Sequence, residues 1–204
     1  ALSPDGRTLA LAWNAADGAR KVVSPVSLIV SAFAPVEDVR RTLTPQLRLD
    51  RGATRLLLVD LGAGRNRLGA SCVAQVYGRI GDEAPDCDDA RRLRAFVGAV
   101  IELRHAGLIL AYHDRSDGGL FATLAEMAFA GHCGLDITLA AGDHAAAVAE
   151  LFAEELGAVL QVETARLAAV RAVLDAAGLG SMVHDLGTAE AFDRIVISDR
   201  HDRA

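Results

Sequence analysis

A cluster of polar residues separates an apolar segment from a helical pattern in the stretch AYHDRSDGGLFATLAEMAFAGHCGLDI. Asp114, Ser116 and Asp117 supply two carboxylates and a hydroxyl, and Gly118 and Gly119 follow them. The unpaired N–H groups and the dipole at the start of a helix attract anions, and glycines let a phosphate approach the backbone closely. This spacing is typical of a phosphate-binding loop.

Carboxylates alone repel a phosphate, so the two aspartates need a second explanation. Mg²⁺ binds one or two carboxylates together with phosphate oxygens, and a cation between Asp114 and a phosphate reconciles both features. Ser116 can donate its hydroxyl to a phosphate oxygen. An alternative stays open: Asp117 or Ser116 caps the helix and the two glycines form a tight turn.

A second glycine-rich stretch, DLGAGRNRLGAS, follows an apolar segment and contains Gly62, Gly64 and Gly69. It lacks the Gly-Lys-Ser/Thr of a P-loop, and its spacing does not match the dinucleotide-binding fingerprint. It is therefore predicted to be a connecting loop, although Arg65 and Arg67 leave a role in ligand binding open.

The positions of the histidines and cysteines do not identify a catalytic residue. His113 adjoins the Asp114 cluster, where either a ligand contact or a structural hydrogen bond fits its position. Cys72 and Cys133 are interpreted as small buried thiols rather than nucleophiles. No CxxC pair, zinc-ligand spacing, Ser-His-Asp or Cys-His arrangement is recognisable, so a reduced, cytoplasmic protein is expected.

Composition excludes several classes of partner. The 204 residues are 51% hydrophobic and carry a formal net charge of −6, with no basic cluster along the sequence. Binding to nucleic acid or to an anionic membrane is therefore not expected. No apolar stretch reaches the 18 residues of a transmembrane helix, and the first residues do not resemble a signal peptide.

The arrangement of elements predicts an α/β (α+β) fold with a mixed β-sheet covered by helices. Strands at 8–13 and 22–33 around an Asp17-Gly18 turn are predicted to be the tail of a preceding domain, residues 1–33. Residues 34–53 are polar and contain proline, and are predicted to be a linker. Strands and helices then alternate through the α/β domain, residues 54–204.

The long motif HDRSDGGLFATLAEMAFAGHCG resembles phosphoribosylformylglycinamidine synthase of the large, single-chain bacterial type. The segments SPVSLIVSAF, VEDVRRTLTPQL, LGASCVAQVYG and EELGAVLQV resemble the same family in the same order, over nearly the whole chain. Aminoimidazole ribonucleotide synthase, thiamine-phosphate kinase and selenophosphate synthetase share only a shorter Asp-x-x-Gly-Gly element.

This resemblance implies an aminoimidazole ribonucleotide synthase C-terminal-domain-like fold and a place in the second of two tandem synthase-like units. The family converts formylglycinamide ribonucleotide, ATP and glutamine to the amidine, ADP, phosphate and glutamate. By resemblance, Asp114 binds Mg²⁺, and Ser116, with Gly118 and Gly119, binds ATP or ADP. The expected partners are the N-terminal synthase-like domains and the glutaminase domain of a parent chain.

Two hypotheses about the motif follow from the resemblance. Either this half contributes directly to amidine synthesis, or its magnesium and nucleotide hold the domains together without turnover; the structural role is preferred, and the fragment alone is expected to be inactive. A third hypothesis is an independent ATP-dependent kinase or synthetase of the wider superfamily.

Overall fold

The computed structural model describes residues 8–25, 30–36, 38–81 and 83–199. The chain divides into two compact units, Ala1–Val39 and Arg40–Ala204. In the first unit, β1 (Thr8–Ala15) and β2 (Gly18–Pro25) pair antiparallel as a hairpin. The predicted hairpin is present, but residues 30–36 form no strand, and residues 26–29 of the predicted second strand lie outside the described residues.

In the described part of the second unit, six strands form one mixed sheet. Along the chain they are β3 (Thr54–Asp60), β4 (Ala111–Asp114), β5 (Gly134–Thr138), β6 (Gly157–Glu163), β7 (Val183–Glu190) and β8 (Ile195–Ser198). Their order across the sheet is β4-β6-β3-β7-β5-β8. Every neighbouring pair is antiparallel except β5 and β8. The expected mixed sheet covered by helices is confirmed.

Helices cover both faces of this sheet. They are α1 (Cys72–Val76), α2 (Ala90–His105), α3 (Gly119–Gly131), α4 (His144–Phe152) and α5 (Leu167–Ala176). One hydrophobic cluster joins α2 and α5 to Leu57 and Val59, whereas the other joins α3 and α4 to Leu56 and Leu58. Successive residues of β3 therefore face opposite cores, which explains why its sequence is continuously apolar rather than alternating.

The predicted faces of the helices agree only partly with the structure. Leu120, Leu124 and Met127 of α3 are fully buried, as their helical spacing predicts. In α2, however, Val97 and Ile101 are 49% and 47% exposed, although the sequence places them on the apolar face. The buried side of α2 is formed by Phe96, Ala99 and Leu103. The apolar stripe in the sequence is wider than this buried side, so Val97 and Ile101 at its edge stay exposed.

The segment before β3 packs against the sheet. Leu47 is 3% exposed, and the Tyr112 N–H donates to the Thr44 carbonyl at 2.9 Å. The buried Gln161 amide exchanges hydrogen bonds with the Arg48 backbone, both at 2.8 Å. Much of the segment 34–53 thus lies on the domain it precedes, while the predicted division at 33 and 53 stays a prediction.

The helices of the described residues were compared with the length and hydrophobicity of a membrane-spanning helix. None of them combines the length and the apolar character that crossing a membrane requires.

Candidate functional site

The loop between β4 and α3 presents alternate side chains to solvent and to the interior. Asp114, Ser116 and Asp117 are exposed, whereas Arg115 is buried. The loop leaves β4 at the edge of the sheet, because β4 pairs only with β6. Of the residues predicted to bind a cation and a phosphate, Asp114 and Ser116 therefore lie on an accessible edge of the domain, Gly118 is partly buried and Gly119 is buried.

Arg115 anchors this loop to the interior. Its side chain is 1% exposed and forms an ion pair with the Asp60 carboxylate. It also donates to the carbonyls of Glu155 at 2.6 Å and Leu156 at 3.1 Å, while its backbone N–H donates to the Gly157 carbonyl at 2.8 Å. These bonds satisfy a buried guanidinium and fix the backbone on which Asp114 and Ser116 are carried.

Backbone conformation and packing within the chain explain why the two residues at the start of α3 are glycines. Gly118 and Gly119 adopt φ values of +83° and +69°, a region that favours glycine. A Cβ on Gly119 would lie 2.8 Å from the Leu151 carbonyl oxygen and 2.9 Å from that of Ala153. The helix start therefore packs directly against the backbone at the C-terminal end of α4.

Neither polar residue proposed as a helix cap acts as one. Gly118 occupies the N-cap position and, because it has no side chain, donates or accepts no side-chain capping hydrogen bond. Ser116 contributes its backbone carbonyl, which accepts the Gly119 N–H at 2.9 Å, and its hydroxyl is not used as a cap. The alternative interpretation of Asp117 or Ser116 as the N-cap is wrong, and the tight glycine turn that accompanied it is present.

A carboxylate from elsewhere in the chain occupies the helix start. Glu154 Oε1 accepts the N–H groups of Gly118 and of Cys72, each at 2.8 Å. The favourable position for an anion at the N-terminus of α3 is thus used by Glu154. A phosphate that takes the Gly118 N–H must displace this carboxylate, whereas one bound by Ser116 and a cation at Asp114 need not.

Cys72 is exposed, so its assignment as a buried thiol is wrong; Cys133 is partly buried. The Cys72 side chain lies beside Glu154, which raises the pKa of the thiol through a hydrogen bond and its negative charge. Desolvation and the charge of Asp117 raise that pKa further, and the Gly118 N–H opposes them. A raised pKa reduces the thiolate fraction at neutral pH and slows alkylation.

We expect Glu154→Gln to increase the rate of Cys72 alkylation by iodoacetamide severalfold at pH 7.5, because the substitution removes the charge that raises the thiol pKa. Peptide mass spectrometry measures the rate, and the exposed Cys87 serves as the internal reference. An unchanged ratio of Cys72 to Cys87 alkylation would contradict the assignment of Glu154 as the controlling group.

The second glycine-rich stretch is tied to the same region by buried ion pairs. Arg67 binds Glu155 through Nε at 2.7 Å and through Nη2 at 2.7 Å, and it contacts Asp88 at 2.9 Å. Asp60 accepts the N–H groups of Gly62 and Gly64 at 3.1 and 2.6 Å. The stretch joins β3 to α1, and Arg67 is held in place by carboxylates of this chain, while a role in ligand binding stays untested.

His113 has a structural partner as well as a position near the site. Its Nε2 lies 2.6 Å from Glu126 of α3, and its Nδ1 lies 3.5 Å from the Asp114 carboxylate. The histidine therefore links β4 to α3 beneath the loop, which matches the structural alternative for this residue.

The carboxylates fit magnesium only in part. The described residues contain no group of three or more His, Cys, Asp and Glu side chains able to hold a metal ion. Asp114 and Asp117 are both exposed, and Mg²⁺ characteristically uses one or two protein carboxylates with phosphate oxygens and water. The donor set of this chain suits a magnesium ion held jointly with a nucleotide, not a metal site made by protein ligands alone.

Sequence analysis missed Glu154 and Glu155, although each shapes the region. Glu154 binds the start of α3, and Glu155 is fully buried between the two loops. The available indication was the pair of adjacent acids in AEELGAV, immediately before a buried strand. A charge at that position needs a buried partner, but the sequence does not reveal that the partner is Arg67.

Comparison with protein families identifies the domain. The model of the family described as "AIR synthase related protein, C-terminal domain" matches residues 55–200, which is more than half of the chain.

Three solved structures share the fold. PurL of T. maritima complexed with ATP has a TM-score of 0.60 and 12% identity, covering 90% of this chain and 27% of its own. Phosphoribosylformylglycinamidine synthase II from Thermotoga maritima has the same TM-score, identity and coverage. HypE of E. coli, a hydrogenase maturation protein, has a TM-score of 0.52 and 21% identity, covering 76% of this chain and 49% of its own.

At these identities the similarity establishes the fold alone. This chain spans about a quarter of the length of the chain in the two T. maritima structures and about half that of HypE.

Proposed function

Since this chain belongs to the family of AIR synthase related proteins through their C-terminal domain, we propose that it is half of an ATP-using synthase unit. The parent would be a phosphoribosylformylglycinamidine synthase of the large, single-chain type, which makes the amidine from formylglycinamide ribonucleotide, ATP and glutamine. The motif HDRSDGGLFATLAEMAFAGHCG supports this assignment. So does the shared fold with a T. maritima synthase of that name.

One observation carries the proposed chemistry: the loop exposes Asp114 and Ser116 while the buried Arg115 holds its backbone. Asp114 would hold Mg²⁺, and Ser116 would contact a phosphate of ATP or ADP. Gly118 and Gly119 would bring the start of α3 close to the nucleotide. Magnesium, when bound, neutralises the repulsion between the carboxylate and the phosphates.

We propose a structural role for this nucleotide site, with the nucleotide held between this domain and the N-terminal synthase-like domains of the parent. Asp114 and Ser116 are both exposed, which leaves them accessible to a nucleotide that another domain also contacts. Ammonia would come from the glutaminase domain of the parent in the cytoplasm, and no residue of this chain is assigned to catalysis. The isolated chain is then expected to be inactive.

We expect Asp114→Asn, made in the complete gene product, to abolish co-purifying nucleotide and to lower the melting temperature while ammonia-dependent amidine formation per folded molecule is kept. The reason is that the substitution removes the charge that holds Mg²⁺ against the phosphates. Nucleotide content is measured by anion-exchange chromatography of the denatured protein, and turnover by the amidine product.

Asp193→Asn is the control, since Asp193 is an exposed carboxylate in the connection between β7 and β8. Unchanged nucleotide content in Asp114→Asn would refute the site. Abolished turnover with nucleotide and stability intact would refute the structural role and make the site catalytic.

A second candidate is an independent ATP-dependent kinase or synthetase of the wider superfamily. This candidate is supported by the similarity of fold to E. coli HypE, of which this chain covers about half. A complete gene that ends shortly after residue 204 and encodes a nucleotide-hydrolysing protein without glutaminase would select this candidate over the synthase.

A further inference from the structure

We propose that a cleft lined by five arginines binds the phosphate groups of a small molecule, at a site separate from the HDRSDGG loop. Arg40, Arg41, Arg48, Arg51 and Arg104 line this arginine cleft, which has a volume of about 380 Å³. The first four precede β3 and the fifth ends α2. Four of the five arginines fall within residues 40–51, and the fold adds Arg104 from more than fifty positions further along the chain.

The arginine cleft lies at the other end of the sheet from Asp114. Leu110, which precedes β4, and Glu163, which ends β6, both line the cleft. Asp114 is opposite Ala158 near the start of β6. The five residue-to-residue steps from Ala158 to Glu163 span ~17 Å of strand. A ligand in the cleft is therefore distinct from one at the HDRSDGG loop.

The backbone at Arg48 is held by a buried side chain. Gln161 is fully buried and binds the Arg48 backbone on both its N–H and its carbonyl, at 2.8 Å each. The same amide donates to Thr54 Oγ1 at 3.1 Å, and Leu47 is inserted into the core beneath. Side chains on a held backbone lose less freedom on binding than side chains on a mobile loop.

Arginines outnumber carboxylates among the described residues that line the arginine cleft. Glu163 is an acid of the lining, and Asp50 lies beside it, bound by Arg48 at 2.8 and 2.5 Å and by Arg51 at 3.9 Å. The Arg48 guanidinium lowers the pKa of the Asp50 carboxyl. Among the described residues, five arginines and one glutamate thus line the cleft, in a chain whose net charge is −6.

The chemistry of the lining selects a phosphorylated small molecule. A guanidinium presents paired donors that match phosphate oxygens, and several around one cavity favour a ligand with more than one negative charge. The volume falls within the range of small-molecule sites. Inorganic pyrophosphate is the simplest probe with this chemistry.

The test is a calorimetric titration of the complete 204-residue chain with pyrophosphate, comparing wild type with the double variant R41Q/R104Q. We expect the double variant to bind roughly tenfold or more weakly, because two charge-assisted contacts are lost. Arg48 is left intact because it binds Asp50. The control is R91Q/R94Q, which removes the same charge from exposed positions of α2 outside the cleft.

Selective weakening in R41Q/R104Q supports the site, and thermal unfolding checks that both variants are folded. Equal weakening in R91Q/R94Q would overturn the proposal, since net charge alone would then explain binding. Absence of pyrophosphate binding at millimolar concentration would overturn it too. Tighter binding of a hexaglutamate peptide than of pyrophosphate would assign the cleft to an acidic protein segment instead. None of these outcomes depends on nucleotide binding at Asp114.

Discussion

Arg115→Met is expected to lower the free energy of unfolding by about 3–5 kcal/mol, because it leaves the buried Asp60 carboxylate without its cation. Asp60 is 3% exposed, and its remaining donors are the N–H groups of Gly62 and Gly64. The Glu155 carbonyl loses its Arg115 donor as well, whereas the Leu156 carbonyl keeps the Leu61 N–H at 2.9 Å. Urea denaturation of the chain, monitored by circular dichroism, measures the change.

Arg94→Met is the matched control, since Arg94 is exposed on α2 and its loss should change the free energy of unfolding by less than about 0.5 kcal/mol. Arg115→Lys keeps the charge but cannot reproduce the forked set of donors, so we expect an intermediate loss. A loss below about 1 kcal/mol for Arg115→Met would show that the ion pair does not hold the loop.

Gly119→Ala is expected to destabilise the chain by about 2–5 kcal/mol, for two reasons that add. A residue with a Cβ in the left-handed region costs about 1–2 kcal/mol, and overpacking costs about 1–3 kcal/mol. At Gly119 the φ value is +69°, and the Cβ would meet backbone atoms of Leu151, Phe152 and Ala153 at 2.8–2.9 Å. Thermal and urea unfolding measure the effect.

Gly98→Ala provides a control of opposite sign. Gly98 lies within α2, and a Cβ there would meet no atom within 4 Å. We expect this substitution to stabilise the chain by about 0.5–1 kcal/mol through helix propensity. If Gly119→Ala were as well tolerated as Gly98→Ala, the glycine would not be required by packing, and a requirement for close approach of a ligand would become its main explanation.

The elements that the sequence predicts best are those buried on one or two complete faces. TRLLLVD predicts a strand because nearly every residue is apolar, and β3 lies between two hydrophobic clusters. The spacing of Leu120, Leu124 and Met127 predicts α3 and its buried side. Gly107 and Gly178, at φ values of +65° and +74°, end α2 and α5 as glycines commonly do.

The elements that the sequence predicts less well are those whose environment is set by distant residues. Val97, Ile101 and Cys72 are exposed although the sequence predicts them to be buried. Their exposure depends on which part of the surface another element covers. The hydrophobicity of a side chain gives its tendency to be buried, whereas the area available to bury it is a property of the packed domain.

The sequence by itself determined the order of strands and helices, the mixed α/β class and the position of the HDRSDGG loop, since periodicity and glycine placement are local properties. The tertiary structure alone decided that Arg115 points inward onto Asp60, that Glu154 binds the start of α3, and that arginines from two distant segments line one cleft. Such contacts join residues far apart in sequence, where electrostatics and packing act through space, so their partners become visible only when the chain is folded.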